Sequence, residues 1–318
     1  MRITRKIAQE MISVLDDLRE QIQKESKTKY PYAEWERKRE QIKKRLEKLP
    51  DHIEQAASTI TVKKTTGPEK KLNLVQRTTL LLFAKLMNRS NRDMEEILML
   101  LQPLFDTAVS YKTVERLYSD EEVMLVLHNL FILLLKDEGV SGDMTGDGTG
   151  YSVTVTKHYR SDPQKKGRDY KYVFRLMDLK TGMYVGNGYS TISEMRAFHQ
   201  ALEMAKDIGI PINTLRLDKY YSSHKVLQLF GKDISVYVIP KKNISKIGLE
   251  WTNVIRKILE SPYIYMKAYF KRNLSESGFS FDKRRFGGII RQKREDRQSM
   301  AILCIGFLHN LFFIRVQS

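Results

Sequence analysis

At Gly139 the hydrophobic pattern of this chain changes period, and few folds accommodate such a change. Up to Lys136 apolar residues recur at helical spacing; beyond Gly139 short alternating runs bounded by turn residues take over. Strands that then alternate with helices complete the pattern, so an α/β fold preceded by an all-helical N-terminal region is expected. With 318 residues the chain has room for two domains, each with its own core. The expected division is 1–136 and 137–318.

In the first region Ile7, Met11, Val14, Leu18 and Ile22 mark one amphipathic helix, and Trp35, Ile42, Leu46 and Leu49 mark a second beyond the break at "KYPY". Residues 1–60 therefore read as a helical hairpin, and "TVKKTTGPEKK", 61–71, as a cationic linker. Residues 90–119 form a candidate helix-turn-helix: one helix runs from about Asn91 to Pro103, and a short one starts after Ser110, a good N-cap. In such a motif the second helix enters the major groove, exposing Tyr111, Lys112, Glu115 and Arg116, with Lys112 and Arg116 as candidate DNA contacts. The spacing suits two ordinary antiparallel helices of a bundle equally well. "EEVMLVLHNLFILLLKDEG" reads as a largely buried helix that closes the region.

Charge narrows the partners. Lys and Arg number 55 against 38 Asp and Glu, a net charge of +17, which favours a polyanion and nucleic acid above all. No apolar run approaches the ~20 residues of a membrane span, and the basic N-terminus lacks a signal-peptide apolar stretch. A cytoplasmic protein with no membrane partner is expected. The single cysteine, Cys304 in "AILCIGFL", excludes an internal disulfide and a cysteine-rich zinc site, and reads as an inert core residue. The six histidines show no pair at metal-ligand spacing and read as structural or surface residues.

Beyond Gly139, "YSVTVTKHY", "RDYKYVFRLMDL" and "MYVGNGYST" read as three antiparallel strands, the last two joined by a "KTG" turn. "SDPQKKGRD", Ser161 to Asp169, reads as a solvated hairpin tip, with a DNA-contacting loop as the alternative reading. Ser193 then caps a helix with Met195, Phe198, Leu202 and Ala205 on one face, and "NTLRLDKYY" and "ISVYVIPK" supply two further strands around a short helix at 222–230. This is the element order of the ribonuclease H-like fold.

Three acids stand on separate elements of that order: Asp147 in "TGDGTGYS", Asp218 in "LRLDKYY" and Glu276 on a later helix. Carboxylates packed together repel unless cations neutralise them, and their hard oxygens suit two Mg²⁺ ions that in turn hold phosphate oxygens. In a two-metal site one ion activates the attacking water or 3′-hydroxyl and the other steadies the leaving oxygen, which is phosphodiester chemistry. Around Glu276 the stretch "YFKRNLSESGFSFDKRRFGG" is strongly cationic, and Tyr269, Arg272, Glu276 and Lys283 would share one face of a single helix. Arg272 and Glu276 alone would also fit an i,i+4 ion pair on an ordinary surface helix.

The spacing Y-(2)-R-(3)-E-(6)-K resembles the signature of the DDE transposases encoded by many bacterial and archaeal insertion sequences. "DGTG" around Asp147, "LDKYYSS" around Asp218 and the closing "FLHNLFF" are similar to other motifs of that family, and the resemblance covers about Gly139 to Ser318. It implies a ribonuclease H-like domain in which Asp147, Asp218 and Glu276 bind two Mg²⁺ or Mn²⁺ ions. Arg272 and Lys283 would hold DNA phosphates, and Tyr269 would support or stack against the DNA. It further implies double-stranded DNA, at the element ends and the target, as partner, a homodimer in the DNA complex, and a nucleoid-associated prokaryotic protein.

Two departures stand out. Gly278 costs a helix about 1 kcal/mol and is expected to threaten the stripe before Lys283, and the interval from Asp218 to Glu276 leaves no room for a large β-strand insertion. Asp143, four residues before Asp147, competes for the role of first ligand; the glycines after Asp147 favour Asp147. Two rival readings share the fold: a metal-dependent nuclease that cuts without joining, and a transposase-derived DNA-binding protein that no longer catalyses.

Overall fold

A computed structural model describes residues 5–25, 32–61, 70–102, 108–153, 170–231, 233–241 and 248–315. Six helices precede the first strand among the described residues: α1 (Arg5–Glu25), α2 (Tyr32–Ser58), α3 (Leu74–Met87), α4 (Asn91–Leu100), α5 (Tyr111–Leu117) and α6 (Glu121–Glu138). The sheet strands are β1 (Asp143–Val153), β2 (Tyr170–Asp178), β3 (Tyr184–Ser190), β4 (Thr214–Leu217), β5 (Ser235–Tyr237) and β6 (Ile289–Ile290). Interleaved with them are α7 (Glu194–Asp207), α8 (His224–Gln228), α9 (Leu249–Glu260), α10 (Pro262–Phe270), α11 (Asn273–Phe286) and α12 (Glu295–Phe312). Most of the 61–71 linker and all of the 161–169 hairpin tip lie outside the described residues.

The sheet is mixed, in the order β3-β2-β1-β4-β5, with β6 on β1. β2 is antiparallel to both β1 and β3, while β4, β5 and β6 run parallel to β1. β1 begins eight residues before the alternating run that marks it in the sequence. Gly146, Gly148 and Gly150 remove the side chains whose alternation would have betrayed it. α7 covers β2 and β3 with Ala197, Phe198, Ala201 and Ala205, and the small residues let the backbones meet: a Cβ on Gly186 or Gly188 would collide with helix carbonyls.

α6 forms as its composition requires. Asp120 caps it, accepting from the Glu122 and Val123 amides, and Gly139, at φ +64°, ends it. Its buried face, from Val123 to Leu135, packs on α2 and α12. Across the whole molecule one continuous apolar cluster runs from Met11 in α1 to Phe312 in α12, so the helical and α/β parts share a core. Arg45 of α2 bridges them, donating to Glu138 Oε1 at 2.7 Å and to the Asn310 carbonyl of α12 at 2.6 Å. The apolar face of α1 rests chiefly on α10.

The cationic stretch departs from expectation in two ways. It is two helices: α10 ends at Phe270 and α11 starts at Asn273, so Tyr269 and Glu276 do not share one helix. Nor does Gly278 interrupt α11, which runs on to Phe286; a Cβ there would meet Met177 Cε at 2.6 Å and the Tyr184 hydroxyl at 3.0 Å. Close packing offsets the helical cost of glycine. Just beyond, the fully buried Asp282 lies 2.7 Å from His309 Nδ1 and accepts from the Tyr184 hydroxyl at 2.8 Å, while His309 Nε2 lies 3.0 Å from the Gly182 carbonyl. This network fixes α11 to α12 and to the β2–β3 turn. Cys304 is buried in α12, its thiol pushed up to about 12 by burial, and is inert as expected.

Candidate active site

β2 pairs with β1 from Met144 to Ser152, but on the other side β1 changes partner. β4 pairs with it from Asp143 to Gly146 and β6 only from Ser152, so Asp147 to Tyr151 have no described strand there. Asp147 opens this gap. Because Gly146 stands opposite Leu217 in parallel register, Asp218 leaves β4 at the same level. It is held as the N-cap of the 3₁₀ turn Lys219–Tyr221, with Oδ2 accepting the Tyr220 amide at 3.2 Å. α11 packs on β1 and brings Glu276 in its first turn.

Arg272, at the junction of α10 and α11, gathers the three acids. Its Nη2 lies 2.9 Å from Glu276 Oε1 and 3.3 Å from Asp218 Oδ1, and its Nη1 lies 3.9 Å from Asp147 Oδ2. A guanidinium can serve three acceptors in this way because its donors form a planar fork. Burial disfavours its charge, but Tyr269, Asp218, Glu276 and Asp147 more than restore it, so its proton is held more tightly than usual. The Tyr269 ring supports the guanidinium from 5.7 Å and is itself only 4% exposed, its phenol pushed up to about 12 chiefly by burial. So deeply buried a ring faces Arg272 and leaves almost no surface for stacking against DNA.

Asp147 is the acid under most stress. Burial pushes its carboxyl up to about 6, against the Gly148 amide that donates to Oδ1 at 2.9 Å and against Arg272, with Asp218 and Glu276 adding to the rise. Two residues on, and on the same face of the strand, Thr149 Oγ1 accepts from Lys283 Nζ at 2.6 Å. Lys283 also lies 5.4 Å from the Tyr151 ring, and burial lowers its pKa. Unbroken passage of α11 through Gly278 is what keeps Lys283 at the site.

The donors are carboxylate oxygens alone, which suit a hard divalent cation, and a carboxylate that burial resists ionising gains most from one. In the arrangement observed, Arg272 supplies the neutralising charge. Among the described residues no three His, Cys, Asp or Glu side chains stand at metal-ligand spacing.

Comparison with known proteins adds the family. The chain is 59% identical over 315 residues, covering 99% of its length and 98% of the relative's, to the "Probable transposase for insertion sequence element ISA1214" of Archaeoglobus fulgidus. The chain belongs to the insertion-sequence transposases. No family model matches it, and no solved structure matches it.

Elsewhere in this transposase, Asp143 sits at the start of β1 as a partner of Thr214 and of Arg216, whose Nη1 is 2.5 Å away. Lys112 and Arg116 are exposed on α5, a helix of 7 residues capped by Ser110, whereas Glu115 is taken up by Arg297 of α12. No helix among the described residues is long and apolar enough to cross a membrane. No motif in the sequence singles out Glu194. It opens α7, and its carboxyl lies against Gly148, the residue after Asp147. An acid directly after the Ser193 cap, at a helix start facing a glycine-rich strand, was the available signal, but such acids ordinarily serve the helix dipole.

Proposed function

We propose that this transposase is a DDE enzyme whose α/β part is ribonuclease H-like, and that it cleaves DNA at the ends of an insertion sequence and joins the freed 3′ ends to target DNA. The observation that carries the reading is the convergence of Asp147, Asp218 and Glu276, from three separate elements, on Arg272. The sheet order β3-β2-β1-β4-β5 with only β2 reversed supports the fold assignment. The oxygen donor set supports Mg²⁺ or Mn²⁺ as cofactor.

In this reading Asp147, Asp218 and Glu276 hold two divalent ions. When bound, such ions lower the pKa of the attacking water or 3′-hydroxyl and neutralise charge on the leaving oxygen. Arg272, already poised among the acids, and Lys283, beside Thr149, hold the phosphates on either side of the scissile bond. Hydrolysis breaks the P–O3′ bond and leaves a 3′-hydroxyl; in the joining step that hydroxyl attacks a target phosphodiester and displaces the target's own 3′ oxygen. No protein–DNA ester is formed. Burial of the Tyr269 and Tyr221 phenols, each with its pKa raised, argues against either as a covalent nucleophile. Lys112 and Arg116 of α5 contact the element ends, and two copies of the chain act on paired ends.

The test uses the full-length protein with DNA carrying the terminal sequences that flank its gene. Asp218→Asn and Glu276→Gln keep shape and remove charge, so each should lose cleavage and strand transfer while gel-shift affinity stays near wild type. Wild-type cleavage in either variant removes that residue from the site. Hydrolysis of the ends without joining of precut ends by the wild-type protein would make it a nuclease.

A further inference from the structure

We infer that Glu194 and Tyr221 form a positioning pair that fixes the main chain carrying Asp147. The inference rests on the proposed reading of Asp147 as a cation ligand.

Asp147 is flanked by Gly146 and Gly148, whose missing side chains would both point to the sheet face opposite its own. Each glycine has a group pressed against it. At Gly146 a Cβ would stand 2.5 Å from Phe174 Cζ, and at Gly148 it would overlap the Glu194 carboxyl. Tyr221 joins the two backstops. Its hydroxyl donates to Glu194 Oε1 at 2.5 Å, and its ring packs edge-on to Phe174 at 5.2 Å and against Phe198 at 5.1 Å. Fully buried itself, Tyr221 has little freedom to move.

Two consequences follow for the site. The Gly148 amide donates to Asp147 Oδ1, so the orientation of the 147–148 peptide sets where that carboxylate reaches. Tyr221 also lies three residues after Asp218, in the turn that Asp218 caps, so the pair couples the backbone of one acid to that of the other. A half-buried carboxylate is a costly way to fill space, and among the described residues no lysine or arginine pairs with Glu194. An acceptor for the Tyr221 hydroxyl, set where it can also bear on Gly148, is what a glutamate supplies there and an aliphatic side chain does not.

The experiment is Mn²⁺ binding to the full-length protein, followed by electron paramagnetic resonance, with the melting temperature as control. Glu194→Ala removes the backstop and should weaken Mn²⁺ binding about tenfold, the range typical of groups that orient a metal ligand. Glu194→Gln keeps the shape and can still accept from Tyr221, so it should bind Mn²⁺ nearly as wild type does. Tyr221→Phe keeps the ring and loses one hydrogen bond, for an expected loss of about threefold. Wild-type affinity in Glu194→Ala overturns the inference, and so does a loss in Glu194→Gln as large as in Glu194→Ala, because the charge itself would then be the ligand. If Glu194→Ala melts early, Tyr221→Phe decides, and unchanged affinity there overturns the pair. Asp147→Asn separates the two layers: if it binds Mn²⁺ like wild type, the reading of Asp147 fails and the inference falls with it. A loss in Asp147→Asn with none in the other variants refutes the positioning pair alone.

Discussion

The two ends of the stretch from Asp143 to Asp147 carry the same residue type on the same face of one strand, yet their surroundings are opposite. At the first end, burial alone would raise the Asp143 carboxyl, but bonds from Thr214 and Arg216 hold it below its usual value. Arg216 is committed to that pair, bracing itself on the Ala268 carbonyl at 2.6 Å and the Tyr237 ring at 4.9 Å. At the other end Asp147 shares one arginine with two more acids, and burial pushes it up to about 6. A carboxylate with its own cation is structurally complete. One that divides a cation among three is still short of positive charge, and that shortage marks the end of the strand where chemistry can be expected.

The contrast is broken most directly by activity. Asp147→Asn should reduce DNA cleavage by a factor on the order of a thousand or more, whereas Asp143→Asn should stay within about tenfold of wild type. Equal losses in an oligonucleotide cleavage assay would erase the distinction. Cysteine at each position sharpens it: partial recovery in Mn²⁺ over Mg²⁺ should appear for Asp147→Cys only, because a thiolate accepts the softer ion better.

Stability should separate the two ends with opposite signs. Asp147 has a folded-state pKa above its ordinary 3.8, so its contribution to stability is full below that value and is lost as pH rises through about 6. An amide escapes that loss, and at pH 8 without metal Asp147→Asn should stabilise the protein by about 3 kcal/mol in a denaturant titration. Asp143 is depressed, so its contribution is present above the ordinary value and lost as pH falls through the folded one. Asp143→Asn leaves Arg216 buried without its acid and should destabilise by about 1–2 kcal/mol, a figure kept small by the partial exposure of Asp143.

The smallest effect is the disappearance of the difference in acid. Near pH 4 the gain from Asp147→Asn should shrink to about 0.5 kcal/mol as the wild-type carboxyl takes up its proton. A gain that persists unchanged at that pH would mean that the amide stabilises by packing and that burial of charge is not the cause.

Much of this was legible in the sequence, and the omissions have physical reasons. The switch from helical to strand periodicity, the caps Ser110 and Ser193, and the i,i+4 pair Arg272–Glu276 could be read because each rests on local spacing, whereas Asp147 and Asp218 stand on separate elements and were singled out only by the motifs around them. The start of β1 could not, since glycines carry no alternation. The break between α10 and α11 was hidden as well: from Tyr263 to Ser277 no glycine or proline interrupts the run. Glu194 reaches Gly148, and Tyr221 reaches Glu194, from far along the chain, and no spacing rule connects such positions.

α12 touches α2, α3 and α6 as well as β3, and Arg45 closes on the carbonyls of Asn310 and Phe313 at its end. Helices made early in this sequence are therefore completed by one made about 170 residues later. At synthesis rates of about 5–20 residues per second, α6 waits roughly ten to thirty seconds with an apolar flank uncovered. A nascent or prematurely ended chain that stops before Phe312 keeps that flank open, a natural target for chaperones and proteases, so only a chain translated past α12 acquires the full packing of these helices.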